Sequence, residues 1–236
     1  MFIAKIINDQ LSAGPAKIIM NVKNFVINFR NRFFYKLLEV YLSDCNSVLD
    51  VGCGFNSAIG RVRKTFYSEG IDIYKPSIDI SKKNKIHDNY KLGNIKTLEK
   101  YYKQKSFDAV IALDVVEHLD KKDAIELMEK MEKIARKKVI ILTPNGFFHH
   151  ARCNDENIYQ QHRSGWYPND YKKRGYKVYG LWGLKAIRSE DAAIKYKPKI
   201  LWSFVVFITE PILYYFPNVS FDIFAIKTFD KQVTRR

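Results

Sequence analysis

The chain has 236 residues and a hydrophobic fraction of 47%, which is enough for one α/β domain with additions. Cys45, Cys53 and Cys153 stand far apart without a C-x-x-C pair, which argues against a disulfide framework or a zinc site and favours the cytoplasm. The net charge of +15 predicts attraction to nucleic acid, anionic lipid or acidic small molecules without choosing among them. A lysine-rich solvated surface is the plain alternative. No secretory signal and no run of about 18 uncharged apolar residues is recognisable.

The first predicted element is a basic amphipathic helix over 16–42, which begins after Gly14-Pro15. Its apolar residues recur at three- and four-residue steps and therefore share one face. Two roles are open: packing on the sheet ahead of the first strand, or acting as a lid or a surface helix on anionic lipid. The apolar positions are Ile18, Val22, Phe25, Phe29, Phe33, Leu37 and Val40.

The stretch 48–60, VLDVGCGFNSAIG, is the centre of the sequence pattern. It predicts a buried strand over 47–51, a tight turn at Gly52-Cys53-Gly54 and a helix over 56–66. Glycine lets the backbone turn sharply and approach a ligand closely. The start of the predicted helix would offer unpaired N–H groups to a polar ligand.

Two residues in this stretch argue against a dinucleotide. Ser57 takes the place of the third glycine of the dinucleotide fingerprint. Asp50, at the carboxyl end of the strand, would repel a pyrophosphate but could pair with an ammonium group. The D-x-G-x-G pattern resembles motif I of the class I S-adenosylmethionine (SAM)-dependent methyltransferases. The plain alternative is a strand, turn and helix without a ligand.

The second predicted strand, Gly70 to Tyr74, carries Asp72, which lies 22 residues after Asp50. In doubly wound folds an acid at this strand end accepts hydrogen bonds from ribose hydroxyls, and the resembled family places its ribose-binding acid here. Tyr74 would lie against the adenine ring. Asp72 as a cap of the predicted helix 77–86 is the alternative, and Asp79 is a less well placed ribose candidate.

A short third strand and its loop are predicted from Tyr90 to Ile95. The family often has aspartate at the position of Asn94, where it contacts the adenine amino group. The amide oxygen of Asn94 can still accept a hydrogen bond, although it carries no charge. The resemblance thus assigns Asn94 and Ile95 to the adenine end of SAM.

The strongest strand pattern runs from Phe107 to Leu113 and is nearly all apolar, as in a parallel strand buried on both faces. Asp114 follows at the carboxyl end, where open α/β sheets bind ligands, and Glu117 and His118 come next. The stretch resembles motif IV of small-molecule and lipid-quinone methyltransferases. It is not an N-P-P-Y motif, which in the family marks methylation of exocyclic or amide nitrogens.

The pattern then predicts a helix over 121–136 and a fifth strand over 139–142. The stretch 147–170 has no regular pattern but is rich in aromatic and histidine residues, and a loop of this length is usually functional or disordered. Its part from His162 to Trp166 resembles a segment that a subset of the family carries before the next helix. A sixth strand is predicted over 176–180.

The most apolar stretch is 200–216, in which Glu210-Pro211 predicts a break into two short helices. Each half is too short to span a bilayer. The pair would either pack on the sheet edge or in a dimer contact, or it would meet lipid or shape an apolar substrate pocket. A seventh strand is predicted over 221–227, ahead of a basic tail.

The resemblance implies one domain over 1–236: a helical cap over 1–42, a SAM-binding core over 43–146 and an acceptor side over 147–236. Its fold would be α/β, with a Rossmann-like, seven-stranded, mostly parallel sheet, an antiparallel last strand, helices on both faces, an N-terminal helix and an apolar insertion between strands 6 and 7. SAM would lie across the strand ends against Asp50, Gly52, Cys53, Gly54, Asp72, Tyr74, Asn94, Ile95 and Asp114.

Methyl transfer needs a base only when the acceptor is a hydroxyl that must lose its proton, and histidine suits that task near neutral pH. His118 and His162 are the candidates, ahead of His149 and His150; structural roles for these histidines stay open. Glu117 and His118 would permit a metal, but the sequence shows no second ligand pair, so no metal site is expected.

The leading hypothesis is O-methylation of a small-molecule, lipid-linked or glycan-linked acceptor. An RNA methyltransferase that uses the basic surface and a non-catalytic SAM-binding protein are the alternatives. The first hypothesis predicts a cytoplasmic protein with peripheral contact between 200–216 and the inner face of the membrane. The methyl acceptor and the oligomeric state stay open.

Overall fold

The structure is a computed structural model that describes residues 31–148, 158–189 and 193–229. The expectations for the first part of the N-terminal helix, for His149 and His150, for Cys153 and for the basic tail lie outside these residues. Among the described helices, none combines the length and the hydrophobicity that crossing a membrane requires.

Seven strands form one sheet in the order β3-β2-β1-β4-β5-β7-β6. The pairs among β1 to β5 are parallel, whereas β7 runs antiparallel to both β5 and β6. This arrangement confirms the predicted Rossmann-like sheet with an antiparallel last strand. The strands are β1 (Ser47–Val51), β2 (Tyr67–Asp72), β3 (Asn89–Leu92), β4 (Phe107–Leu113), β5 (Ala135–Pro144), β6 (Lys177–Leu184) and β7 (Ser220–Thr228).

Helices cover both faces of the sheet, as predicted. On one face, Leu127, Met128 and Met131 pack into a core that also contains the fully buried Trp166. On the other face, the apolar side of the N-terminal helix completes a second core. The helices are α1 (31–42), α2 (Lys75–Lys83), α3 (Lys121–Ile134), α4 (Pro168–Lys172) and α5 (Lys199–Leu213).

The helix predicted over 56–66 is wrong, because only a 3₁₀ turn forms there, at Ala58–Arg61. Ser57 caps this turn by accepting a hydrogen bond from the Ile59 N–H, and the backbone is extended again at Val62. The chain therefore makes one tight turn between the glycine loop and β2.

The break predicted at Pro211 is also wrong, since α5 is one helix that contains this proline. Pro211 lies in the last turn of α5, so its missing N–H removes only one backbone hydrogen bond. The segment between β6 and β7 therefore contains one continuous helix of 15 residues instead of two short ones.

Candidate cofactor and acceptor site

A cleft of about 1140 Å³ opens at the carboxyl ends of β1, β2 and β4. The cleft brings together residues that the sequence places after separate strands. Parallel strands have their carboxyl ends at the same edge of a sheet. The predicted site residues that line the cleft are Gly52, Cys53, Gly54, Asp72, Tyr74, Asn94, Ile95, Asp114 and His118.

The glycine loop after β1 forms the floor of the cleft. Gly52 and Gly54 have φ angles of +68° and +55°, which glycine adopts without the strain that a Cβ would add. A Cβ on Gly52 would also lie only 2.7 Å from Val115 Cγ2. The N–H groups of Gly52 and Cys53 donate to the carbonyl oxygen of Ile71, which ties the loop to the end of β2.

Asp72 lies at the end of β2 with its carboxylate beside the glycine loop. One carboxylate oxygen accepts from the Gly54 N–H at 2.9 Å and the other from the Tyr74 N–H at 2.8 Å. Burial raises the pKa of Asp72 above its ordinary value, although these backbone donors oppose that increase. Each oxygen retains acceptor capacity, so the pair can receive two vicinal hydroxyls.

Asp50 does not line the cleft; it is buried behind the glycine loop, with 1% of its surface exposed. Its Oδ2 atom accepts from Ser57 Oγ at 2.5 Å and lies 3.0 Å from His87 Nε2. In this arrangement Asp50 holds the loop in place, and its contact with the cofactor stays a prediction. The sequence pattern predicts that Asp50 lies near the end of a strand, but it does not predict which way the carboxylate faces.

Asn94 begins the 3₁₀ segment Ile95–Lys100 after β3. Its Oδ1 atom accepts from the Lys96 N–H at 2.9 Å, so part of its acceptor capacity serves this cap. Asn94, Ile95 and Lys96 together form one wall of the cleft. This is the side on which β2 and β3 meet, away from β4.

Asp114 follows β4 with a φ angle of +55°, a left-handed conformation that aspartate tolerates better than most residues. Desolvation by the surrounding protein raises the pKa of its carboxyl, although the side chain is exposed in the cleft. Behind it, Glu117 is buried and accepts from Thr143 Oγ1 at 3.1 Å. Burial, and then the nearby Asp114, raise the pKa of Glu117 well above its ordinary value.

The two candidate bases lie side by side. The rings of His118 and His162 are 4.8 Å apart between centroids and meet edge to face. His118 lines the cleft, while His162 stands behind it. The ligand atoms of Glu117, His118 and His162 all lie within 4.8 Å of one another. The sequence pattern indicates no second ligand pair for Glu117 and His118, because His162 lies 44 residues after His118.

The opposite end of the cleft is lined by residues that the motifs did not reveal. Asn31, Phe34 and Tyr35 come from α1, and Trp182 comes from β6. The rings of Phe34 and Trp182 meet edge to face, with centroids 5.7 Å apart. The apolar periodicity of α1 predicts its contact with the sheet. No pattern in the sequence predicts that Trp182 lines the cleft.

Comparison with known proteins agrees with this geometry. Residues 49–148 match the family described as a methyltransferase domain. No curated protein sequence matches the chain. A SAM-dependent methyltransferase from Archaeoglobus fulgidus is a similar solved structure, with 19% identity and a TM-score of 0.55 over 84% of this chain and 94% of that one.

Two further structures share the fold. A possible histamine N-methyltransferase from Thermotoga maritima has 14% identity and a TM-score of 0.56, over 87% of this chain and 92% of that one. The plantazolicin methyltransferase BamL, solved with a triazolic desmethylPZN analog and SAH, has 14% identity and a TM-score of 0.55, over 94% and 93%.

Residues 49–148 thus match a methyltransferase-domain model, and the chain shares its fold with SAM-dependent methyltransferases. The glycine loop and Asp72 offer polar groups suited to vicinal hydroxyls and a backbone that leaves room for a ligand. The individual cofactor contacts stay predictions.

Proposed function

We propose that this chain methylates an oxygen of a small-molecule, lipid-linked or glycan-linked acceptor at the inner, cytoplasmic face of a membrane. The observation that carries the proposal is an exposed apolar face on α5. This helix lies beside the end of the cleft that Phe34 and Trp182 line. The reducing compartment agrees with Cys45 and Cys53, which are buried and unpaired among the described residues.

The outer face of α5 is a continuous apolar stripe. Leu201, Phe204, Ile208 and Ile212 are 53%, 57%, 51% and 60% exposed, and their three- and four-residue spacing puts them on one side of the helix. Tyr215, just past the helix end, is 72% exposed and extends the same surface. A surface of this size and composition marks a contact with a membrane or a partner.

Charge favours an anionic lipid surface as the partner. Lys195, Lys197 and Lys199 are exposed immediately before the stripe, and the whole chain carries a net charge of +15. Juxtaposed lysines and apolar side chains are the combination that holds a helix in the headgroup region of an anionic membrane. The aromatic ring of Tyr215 also suits that interface.

The inner face of α5 connects this surface to the cleft. Val206 is buried where α5 crosses Gly183 of β6. Glu210, also buried, accepts from the Trp182 N–H at 2.7 Å, and Trp182 lines the cleft. An acceptor embedded in the membrane would therefore have a short path to the cleft past the end of α5.

The chemistry of the cleft supports an oxygen acceptor. Methyl transfer from a sulfonium is an in-line displacement in which the protein positions the nucleophile and excludes water. The residues after β4 are Asp114-Val115-Val116-Glu117 rather than N-P-P-Y, so the motif for exocyclic or amide nitrogens is missing. The imidazoles of His118 and His162 are the groups near the cleft that suit removal of a hydroxyl proton.

The test is cosedimentation with vesicles of phosphatidylglycerol and phosphatidylcholine, compared with phosphatidylcholine alone. We expect the protein to bind the anionic vesicles. The double variant Phe204→Ser/Ile208→Ser should lower the vesicle affinity about 30-fold, because each side chain that inserts into the membrane contributes about 1 kcal/mol or more. Val40→Ser/Leu92→Ser is the matched control, since these side chains are 59% and 52% exposed elsewhere on the surface. Equal binding by both double variants would refute the role of α5.

The net charge of +15 keeps an RNA methyltransferase as the second candidate. Binding to RNA neutralises phosphates and releases counterions, so its affinity falls steeply with salt. Absence of vesicle binding together with tight, salt-sensitive RNA binding would move the assignment to RNA. If the protein binds SAM but consumes none of it in the presence of cell extracts that supply acceptors, it is a non-catalytic SAM-binding protein.

A further inference from the structure

We propose that Glu210 of α5 is a positioning residue, which holds the indole of Trp182 at the end of the cleft where Phe34 lies. This role stands on the geometry of β6 and α5. One consequence, that lipid contact by α5 reaches the cleft through Glu210, rests on the function proposed above.

Trp182 faces the opposite side of the sheet from the one that a regular strand would give it. Successive side chains of a strand point to opposite faces. Val178 packs in the core on the α3 side of the sheet, so a regular β6 would place Trp182 on that side too. Trp182 instead packs with Tyr179 in the core on the α1 side, where it meets Phe34 and lines the cleft.

A β-bulge with two left-handed residues causes this reversal. The register of β6 with β7 shifts between Leu181 and Leu184. Trp182 and Gly183 have φ angles of +62° and +82°. Bulges re-aim side chains and are common beside active sites, but a positive φ is unfavourable for a residue as bulky as tryptophan. Contacts with the surrounding protein must therefore hold the indole in this position.

Hydrogen bonds on two sides hold the backbone of Trp182. Its N–H donates to Oε1 of Glu210 at 2.7 Å, and its carbonyl oxygen accepts from Nη2 of Arg188 at 3.0 Å. Both side chains are buried. A carboxylate and a guanidinium form stronger hydrogen bonds than neutral groups do, so this pair can offset the cost of the left-handed conformation.

Glu210 is an exception in the composition of α5. It is the only acidic residue from Lys199 to Leu213, and a buried carboxylate is unfavourable unless it forms specific hydrogen bonds. One turn earlier, Val206 packs so closely on Gly183 that a Cβ there would lie 2.8 Å from Val206 Cγ1. Two residues on the inner face of α5 thus contact the two left-handed residues of β6.

The outer face of the same helix is the apolar stripe that we propose to meet lipid. Ile208 lies between Val206 and Glu210 in the sequence, but it is exposed on the other side of α5. A shift of α5 on binding a membrane would move the carboxylate that accepts from the Trp182 N–H. We therefore expect the indole of Trp182, and with it this end of the cleft, to respond to lipid.

The experiment is fluorine NMR of protein labelled with fluorotryptophan. The variant Trp182→Phe assigns the Trp182 resonance among the three tryptophans of the chain. In Glu210→Leu this resonance should move by more than its own linewidth, because the carboxylate that fixes the backbone is lost. Glu210→Gln keeps an oxygen that can accept the Trp182 N–H, so the resonance should stay within a linewidth of its original position.

The matched control is Glu132→Leu. Glu132 also joins distant parts of the chain, through Tyr176 and Lys227, but it does not line the cleft. Its loss should lower the melting temperature without moving the Trp182 resonance. SAM calorimetry shows that each variant is folded. If Glu210→Leu does not fold, Glu210→Asp replaces it, because its carboxylate is one methylene too short and should give the same displacement.

Vesicles of phosphatidylglycerol and phosphatidylcholine test the connection to lipid. Their addition should move the Trp182 resonance in the unchanged protein and in Glu210→Gln, but not in Glu210→Leu. The resonance of Trp166, which is fully buried in the core on the α3 side, should not move in any of them. Vesicle binding without a displacement of the Trp182 resonance overturns the connection.

The comparison without lipid decides the positioning role. A Trp182 resonance that stays in place in Glu210→Leu overturns it, and so does an equal displacement in Glu210→Leu and Glu210→Gln. Absence of vesicle binding refutes the proposed function instead. Because the variants are compared in the absence of lipid, the two failures are distinguishable.

Discussion

Replacing Asp72 tests the cofactor site most directly. Its two carboxylate oxygens each accept one backbone N–H, from Gly54 and from Tyr74. In Asp72→Asn one oxygen becomes an amide NH₂, which would face one of these N–H donors and could not accept a ribose hydroxyl. The substitution changes the charge and the acceptor pattern while keeping the size of the side chain.

The magnitude follows from the bonds that the carboxylate can make. A hydrogen bond to a charged group contributes about 1.5–3 kcal/mol, and 1.4 kcal/mol is about tenfold in affinity. Loss of one such acceptor in Asp72→Asn should weaken SAM binding about 30-fold. Asp72→Ala removes both acceptors and should weaken SAM binding a few hundred-fold.

Calorimetric titration with SAM, and separately with NAD, measures these values. Asp79→Asn is the control, because Asp79 is an exposed carboxylate of α2 that pairs with Lys75 at 2.6 Å. We expect it to bind SAM like the unchanged protein, and no variant to bind NAD. SAM affinities within twofold of one another for all these proteins would refute the assignment of Asp72.

The pH dependence gives an independent check on the same residue. Burial raises the pKa of Asp72, so the carboxylate takes up its proton at a higher pH than an ordinary aspartate. A protonated Asp72 offers one acceptor fewer to the ribose. The SAM affinity should therefore fall as the pH decreases through this raised pKa, and the decline should be absent in Asp72→Asn.

Two further predictions concern the frame around the site. Ser57→Ala removes the 2.5 Å hydrogen bond to the buried Asp50; it should lower the free energy of unfolding by about 1.5–3 kcal/mol and weaken SAM binding, and unchanged calorimetry and melting would contradict this. Asp108→Asn should lower the free energy of unfolding at pH 7 by about 2 kcal/mol in urea titrations. Burial alone would raise the pKa of Asp108, but the Asn46 N–H and the Arg136 guanidinium hold it below 3.8. This difference from the unchanged protein should therefore disappear as the pH falls through that lowered pKa, and a difference that persists would refute it.

The sequence determined the sheet and most of the residues that line the cleft. Apolar runs such as Phe107–Leu113 identify buried strands because a central parallel strand is covered on both faces. A residue just beyond a parallel strand must lie at the carboxyl edge, so Asp72 and Asp114 could be placed by position alone. The positive φ angles at Gly52 and Gly54 are likewise a local property, because glycine adopts them without strain.

Tertiary structure alone decided which way side chains face and which distant residues meet. Asp50 lies near the end of the predicted strand 47–51, yet it does not line the cleft, because Ser57 and His87 satisfy its buried carboxylate. His162 meets His118 only because backbone bonds to Glu117 hold the loop there. Such contacts depend on the packing of residues that are distant in the chain, and this packing produces no periodic pattern in the sequence. Strand burial and backbone conformation depend on neighbouring residues and can therefore be predicted from them.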